Sequence, residues 1–198
     1  KSKKKEREMP TVPVRQDLLF SRIGKNFTEE EFDDFTFDFG LEIDDKVKLS
    51  ELEVSESNSS NSSDTKVSKV DEEEDPTVFK FDVAANRYDL LCLEGIGQAL
   101  SVYHNYPKVK APVYVTTKPK FTMTVRKSTS KIRPYVVCAV LRDIGFDEVS
   151  YKSFLDLQAK LHDNICRHRK LVAIGTHDLD KTSGPDFVYS AEDPEKIE

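Results

Sequence analysis

The residues best suited to chemistry form one short segment, Gly175-Thr176-His177-Asp178-Leu179-Asp180. Imidazole and carboxylate groups can bind a metal, hold a water molecule or transfer a proton. Three interpretations stay open: the two carboxylates cap backbone groups beside a hydrogen-bonded His177, the segment lines a pocket, or it binds a metal. The metal interpretation is the weakest, because three ligands within four residues have no partner elsewhere in the chain. We therefore predict no metal site.

A basic cluster, Arg167-His168-Arg169-Lys170, forms the C-terminal end of a predicted helix. Cations are favourable at the C-terminus of a helix, because the backbone dipole is negative there. This explanation accounts for most of the cluster. Contact of Arg167, Arg169 and Lys170 with the phosphates of a nucleic acid stays open as the alternative.

A third polar cluster, Asn86-Arg87-Tyr88-Asp89, lies between a predicted strand and a predicted helix. The strand is indicated by Phe79, Phe81 and Val83, which alternate with charged residues. The helix is indicated by the apolar stripe Leu93, Ile96, Leu100 and Tyr103. Asn86 is a good N-cap, and Asp89 is expected near the positive helix end. Asn86, Arg87 and Asp89 are therefore predicted to form a structural joint.

Composition excludes several classes of protein. The 198 residues carry a net charge of −6, so no global basic field attracts nucleic acid, which disfavours a free-standing nucleic-acid-binding module. Three scattered cysteines, Cys92, Cys138 and Cys166, argue against a disulfide framework and against a structural zinc site. No apolar run is long enough to cross a bilayer and no signal peptide is evident, so we expect a cytoplasmic protein without a membrane partner.

The first half of the chain predicts a small α/β domain. Residues 1–8 form a charged tail that we expect to be disordered. Further predicted elements are an edge strand at Thr11–Val14, a helix at Arg15–Ile23 that ends at Gly24, and a helix that begins at a Thr28–Glu31 capping box. This last helix carries Phe32, Phe35 and Phe39 on one face, as expected of core residues, and ends at Gly40.

A long insert interrupts this domain. Residues of about 46–76 include a Ser/Asn-rich run and the acidic block Asp71–Asp75, which cannot fill a core, so we expect disorder. The acidic block is either solvated or a docking site for a basic partner. The flanks, 39–43 and Phe79, are expected to pack together across the insert.

The second half predicts part of a mixed α/β domain. After a linker at Tyr106–Pro112, we expect a strand over Phe121–Val125, and a helix from Ser150 with the stripe Phe154, Leu157, Leu161 and Ile165. The continuous apolar runs Tyr135–Leu141 and Leu171–Ile174 predict strands that are buried on both faces. We expect the second domain to be incomplete, because few further elements follow the last predicted strand. The predicted fold class of the whole chain is α+β.

Four stretches in this order resemble one family, the β subunit of cytosolic eukaryotic-type phenylalanine–tRNA ligase. They are Met9-Pro10-Thr11-Val12-Pro13-Val14, Phe37-Asp38-Phe39-Gly40-Leu41-Glu42, Asn86-Arg87-Tyr88-Asp89-Leu90-Leu91-Cys92-Leu93-Glu94-Gly95 and Leu171-Val172-Ala173-Ile174-Gly175-Thr176-His177-Asp178-Leu179-Asp180. The resemblance extends over nearly all of Met9–Ser190. It leaves out the acidic insert and the leading residues.

The resemblance implies a part of a larger enzyme. The whole enzyme would contain two α and two β subunits and would charge phenylalanine tRNA with the use of ATP and Mg²⁺. The synthetic site would belong to the α subunit, and both ATP and Mg²⁺ would bind outside this chain. Residues 9–106 would form the N-terminal domain of the β subunit. Residues 107–198 would form the front part of the domain that hydrolyses mischarged tyrosyl-tRNA, so the chain would be an N-terminal fragment.

The resemblance also implies roles for individual residues. In bacterial relatives a His-containing loop lines the editing pocket, and His177 with Thr176 and Asp178 is the matching position here. Arg167, Arg169 and Lys170 become candidates for contact with the tRNA, while no contact with DNA is implied. The alternative function is a structural and protein-interaction module of the synthetase complex that has no activity of its own.

Overall fold

The strand predicted around Phe79 is the centre of a three-stranded antiparallel sheet. In the computed structural model, which describes residues 11–59, 75–105, 115, 118 and 120–196, β3 (Thr77–Asp82) pairs with β1 (Thr11–Arg15) and with β2 (Glu42–Lys48). Phe81 of β3 lies opposite Val12 on one side and Ile43 on the other. The predictions of an edge strand at the N-terminal end and of packing between the two flanks of the insert are thus confirmed.

Four helices accompany this sheet: α1 (Gln16–Ile23), α2 (Glu29–Phe39), α3 (Leu49–Ser59) and α4 (Leu93–Asn105). Their ends follow local sequence signals. Gly24 and Gly40 end α1 and α2 with positive φ angles of 80° and 86°, which glycine adopts without a steric penalty. The Thr28–Glu31 capping box at the start of α2 is present in full.

The hydrophobic core lies between the sheet and these helices, and aromatic rings are its main component. The ring of Phe32 stacks on Phe79 at a centroid distance of 5.0 Å and meets the edge of Phe20 at 4.9 Å. Phe32 is 1% exposed, whereas Phe35 and Phe39 are partly buried and pack against the same cluster. The predicted core role of the phenylalanines on α2 is confirmed.

A fifth helix, α5 (Glu148–Asp163), packs with Leu157 and Leu161 against this core. The prediction is confirmed for Leu157 and Leu161, whereas Ile165, the last residue of the predicted stripe, lies beyond the end of the helix and is 44% exposed. Its cap is Asp147, however, and Ser150 is the third residue of the helix, whose backbone N–H donates to Asp147 Oδ1 at 2.7 Å. The prediction of Ser150 as the cap was wrong because both residue types favour caps and only the geometry distinguishes them.

The chain divides into two compact units, of which the first comprises Lys1–Lys110 and Phe146–Ile174, and the second Ala111–Gly145 and Gly175–Glu198. In the second unit, β4 (Thr122–Val125) and β5 (Asp186–Tyr189) form a parallel pair. The rings of Phe121 and Phe187 stack beside this pair at 6.0 Å. The predicted assignment of residues 9–106 and 107–198 to two functional domains stays a prediction.

Two predicted buried strands are absent. Tyr135–Leu141 and Leu171–Ile174 are irregular and exposed, with Tyr135 at 92% and Val137 at 97%. A strand that is buried on both faces needs ladder partners, and within the described residues β4 and β5 pair only with each other. An apolar run reports the tendency to be buried and does not report whether a partner strand is present.

The prediction of disorder over residues of about 46–76 is wrong for both ends of that range. Residues 46–48 belong to β2 and residues 49–59 to α3. Asp75, the last residue of the acidic block, accepts hydrogen bonds from the backbone N–H of Ser50 at 3.2 Å and from its hydroxyl at 2.7 Å. Residues 60–74, the tail at 1–8 and the linker at 106–112 lie outside the described residues.

The presence of helices and sheets in one chain confirms the predicted α+β class. Within the described part of the chain, no helix is long and apolar enough to cross a bilayer.

Candidate functional site

The polar joint between β3 and α4 is built around one ion pair. Arg87 donates to Asp89 from Nε at 3.0 Å and from Nη2 at 2.9 Å. The hydrogen bond from Arg87 lowers the pKa of Asp89 below its usual 3.8. The guanidinium also lies 5.8 Å from the ring centroid of Phe39, at the end of α2. Arg87 therefore links the joint to a neighbouring helix through a cation–π contact.

Asn86 does not cap α4, so that part of the prediction was wrong. The helix begins at Leu93, and a short 3₁₀ helix at Tyr88–Leu90 separates it from Asn86, which lies exposed in a turn. A cap residue must immediately precede its helix. The apolar stripe was read correctly from Leu93 onward, but the intervening turn has no distinctive sequence signal.

A glycine in α4 allows the backbone of the 3₁₀ turn to pack closely against this helix. A Cβ atom built on Gly95 would overlap the carbonyl oxygen of Asp89, which is backbone and cannot rotate away. The sequence analysis missed this position because a glycine inside a helix is not by itself informative. Gly95 lies close to the turn between the predicted strand and the predicted helix, and this position could have indicated close packing of the backbone.

A groove of about 370 Å³ runs along the first unit, bordered by β1, α3 and α5. Its apolar lining includes Val12 and Leu91, and its polar lining includes Cys92 and Lys152. Burial raises the pKa of the Cys92 thiol above its usual 9.0. Because only the thiolate is a good nucleophile, Cys92 is unsuited to nucleophilic catalysis at neutral pH.

A buried histidine that the sequence analysis missed connects α5 to the following segment. His162 is 3% exposed, and its Nε2 accepts a hydrogen bond from the backbone N–H of Ile174 at 2.9 Å. Because Nε2 accepts, the ring proton is on Nδ1, which is buried and has no partner among the described residues. His162 directly follows Leu161, which belongs to the apolar stripe of the helix, and this position was the available sign of its burial.

The basic cluster does not lie on the helix. Since α5 ends at Asp163, Arg167, His168, Arg169 and Lys170 form an exposed turn four to seven residues beyond its end. They belong to the first unit.

The predicted editing loop lies in the second unit. Asp178 Oδ1 accepts a hydrogen bond from the backbone N–H of Asp180 at 3.1 Å and so caps a 3₁₀ turn at Leu179–Lys181. His177 is exposed, and its Nε2 would lie 3.3 Å from a Cβ built on Gly175. Thus the capping interpretation describes Asp178, whereas the predicted role of Thr176, His177 and Asp178 in an editing pocket stays a prediction.

Among the glycines of the described chain, Gly24, Gly40 and Gly184 have a positive φ, and Gly175 of the predicted editing loop does not. In the described part of the chain, His, Cys, Asp and Glu side chains form no group of three or more that could bind a metal ion. The three cysteines are free thiols.

Comparison with known proteins gives one consistent result. Residues 9–106 match the family model described as the Phe-tRNA synthetase beta subunit B1 domain. Over 192 residues, the chain is 48% identical to the phenylalanine–tRNA ligase beta subunit of Homo sapiens and 47% identical to that of Mus musculus, which covers 96% of this chain and 31% of each relative. The cytoplasmic beta subunit of Arabidopsis thaliana is 47% identical over 193 residues, covering 96% of this chain and 30% of the relative.

A solved structure is also similar. The crystal structure of an N-terminal fragment of the phenylalanyl-tRNA synthetase beta-subunit from Pyrococcus horikoshii superimposes with a TM-score of 0.68 at 28% identity. The similarity covers 90% of this chain and 45% of that fragment. The chain thus spans about a third of the length of the curated relatives that it matches, at 31% of the human subunit.

Proposed function

Because the chain belongs to the family of phenylalanine–tRNA ligase β subunits, we propose that it works as the N-terminal part of such a subunit. The observation that carries this proposal is the extent of the similarity, which continues through 96% of the chain at up to 48% identity. In this proposal, residues 9–106 form the N-terminal domain and residues 107–198 the front part of the editing domain.

The proposed setting is a cytoplasmic heterotetramer of two α and two β subunits that charges phenylalanine tRNA. Mg²⁺ and ATP are proposed to bind outside this chain, as the membership in this family implies. The chain then contributes no group to amino-acid activation. Its contribution is to assembly, to contact with tRNA and to proofreading.

Proofreading answers a physical limit on selectivity. Tyrosine differs from phenylalanine by one hydroxyl, and an apolar pocket rejects such an analogue by only about a hundredfold. A second pocket that hydrogen-bonds the hydroxyl can remove the mischarged product. We assign this contact to His177, whose exposed imidazole can donate to or accept from a phenolic oxygen or a water molecule. Support comes from the Asp178 cap, which anchors the loop beside it.

Replacing His177 in the complete heterotetramer tests this assignment. We expect His177→Ala to slow deacylation of tyrosyl-tRNA about tenfold or more, since one lost hydrogen bond to a substrate group costs about that factor, while phenylalanine charging continues. The matched control is Thr182→Val, because the Thr182 hydroxyl donates to the Leu179 carbonyl at 2.8 Å and ties down the same loop. If loop anchoring alone mattered, the control would slow deacylation as much as His177→Ala. Unchanged deacylation in His177→Ala would refute the assignment.

A structural and interaction module is the second candidate function. It is favoured by the distribution of burial, since the buried hydrophobic side chains of the described residues all lie in the first unit. Under this alternative, His177→Ala would leave deacylation unchanged, and variants that weaken the first unit would lower the yield of assembled heterotetramer.

A further inference from the structure

The turn at Arg167–Arg169 has an unusual backbone. Three consecutive non-glycine residues, Arg167, His168 and Arg169, have φ angles of 52°, 54° and 63°. In this left-handed region the Cβ atom of an L-residue crowds the backbone, so single residues visit it and runs are rare. Elsewhere in the described chain, Asp143 is the one other non-glycine residue with a positive φ. The turn is therefore a strained conformation that its surroundings must hold in position.

Backbone hydrogen bonds hold both ends of this turn. Cys166, which is 2% exposed, donates from its N–H to the Leu161 carbonyl at 3.0 Å and accepts from the N–H of Leu171 at 3.1 Å. Arg167 donates to the Asn164 carbonyl at 3.0 Å, and Lys170 donates to the Arg167 carbonyl at 3.1 Å. The four side chains between these anchors, from Arg167 to Lys170, are exposed.

The helix dipole does not account for these charges. Dipole stabilisation of cations falls off within the last turn of a helix, whereas α5 ends at Asp163 and the first arginine follows four residues later. Asp163 Oδ1 lies 3.3 Å from His168 Nδ1, within the same segment. Arg167, Arg169 and Lys170 lie exposed on one turn, in a chain whose net charge is −6.

We infer that the turn Arg167–Lys170 binds the phosphodiester backbone of the tRNA, an inference that rests on the proposed function. The planar guanidinium of arginine matches two phosphate oxygens with parallel hydrogen bonds. The backbone hydrogen bonds of the turn set the positions from which the two arginine side chains extend. The contact recognises phosphates, so it positions the tRNA and reads no base.

Salt-dependent binding of phenylalanine tRNA to the complete heterotetramer tests the inference. Each phosphate contact contributes a slope of about −0.7 to −0.9 to the dependence of log K on log salt concentration. Arg167→Gln combined with Arg169→Gln should therefore reduce the slope by between about 1 and 2, and should weaken binding at low salt by at least tenfold. The matched control, Lys127→Gln with Lys131→Gln, removes the same charge from an exposed 3₁₀ helix of the second unit.

Two further variants keep the test decisive. Arg167→Lys with Arg169→Lys retains both charges, so its salt slope should stay near that of the wild type while its affinity falls between the other two. If the glutamine pair lowers the melting temperature, the affinity of the lysine pair decides instead, and an affinity equal to that of the wild type would overturn the inference. An unchanged slope in the glutamine variant, or an equal change in the control, would overturn the inference. The proposed function is tested separately by the charging of phenylalanine tRNA by the wild-type heterotetramer. Normal charging would support the proposed function even if the inference about the turn is wrong, and absent charging would refute the proposed function.

Discussion

At Gly95, in the first turn of α4, there is no room for a side chain. The Asp89 carbonyl oxygen lies where a side chain would begin, so the 3₁₀ turn at Tyr88–Leu90 packs directly on the first turn of α4. Gly97, two residues later in α4, faces the side chain of Arg22. The Cδ atom of Arg22 would lie 2.9 Å from a Cβ atom built on Gly97. The two glycines therefore differ in what opposes them: fixed backbone at Gly95 and a flexible side chain at Gly97.

This difference predicts unequal losses of stability for two alanine variants. Gly95→Ala should destabilise the chain by about 1–3 kcal/mol, because overpacking against fixed backbone exceeds the gain in helix propensity of about 1 kcal/mol. Gly97→Ala should cost less than Gly95→Ala. The Arg22 Cδ can rotate away, its Cβ at 3.1 Å needs a shift of only a few tenths of an ångström, and the propensity gain offsets part of this strain. Urea unfolding of both variants measures the difference. Equal stability of the two would show that the turn can shift away from α4.

Elements of the first unit were largely predictable, because their signals are local. The Thr28–Glu31 box and Gly40 bound α2 by themselves, and Phe79 and Phe81 indicate β3 by their alternation. The joint was partly predictable: the pairing of Arg87 with Asp89 is local, whereas the contact of Arg87 with Phe39 joins residues far apart in sequence.

Elements that depend on distant partners were not predictable. Whether Tyr135–Leu141 becomes a strand depends on a neighbouring strand, which no local pattern reports. The end of α5 at Asp163 was missed because the apolar stripe continues to Ile165, and this error placed the basic turn on a helix end. The strained φ angles of Arg167–Arg169 had no sequence signal, since glycine or asparagine would be expected there.

The capping box of α2 makes the stability of this element depend on pH. The Thr28 backbone N–H donates to Glu31 Oε2 at 3.0 Å, and this hydrogen bond lowers the pKa of Glu31 below its usual 4.5. A carboxylate whose pKa is lowered by folding stabilises the folded chain above its unfolded pKa, and that contribution is lost as the pH falls through the folded value. Glu31→Gln retains a capping oxygen that does not titrate. The melting temperature of the wild type should therefore exceed that of Glu31→Gln at pH 6, and the two should converge below pH 4.5.

Glu30→Gln is the control for this prediction, because it removes a charge from the same turn of α2 and leaves the box intact. Its melting temperature should follow the pH dependence of the wild type. A constant difference between the wild type and Glu31→Gln from pH 6 to pH 3 would show that the box does not titrate with folding.

Across the whole molecule, burial is distributed unevenly between the two units. Central β3 pairs on both sides, and its Phe81 is completely buried. In the second unit, β4 and β5 form a two-stranded parallel pair, and Thr129 is the buried side chain among its described residues. The side chains of β4 and β5 are exposed or half-buried, and a two-stranded pair of this kind is marginal in water. Functional loops commonly belong to such less stable regions, as the proposed editing loop does.

Hydrogen exchange should report this difference directly. In native conditions, the amide groups of β3 should open only with global unfolding, because their hydrogen bonds lie between two neighbouring strands over a packed core. The amide groups of β4 and β5 should exchange faster by on the order of a hundredfold or more, because local opening of two strands with exposed or half-buried side chains exposes little further apolar surface. Mass spectrometry of peptides that span Thr77–Asp82, Thr122–Val125 and Asp186–Tyr189 measures the three strands in one experiment. Equal protection of all three strands would contradict the prediction and would mean that the parallel pair is as stable as the core of the first unit.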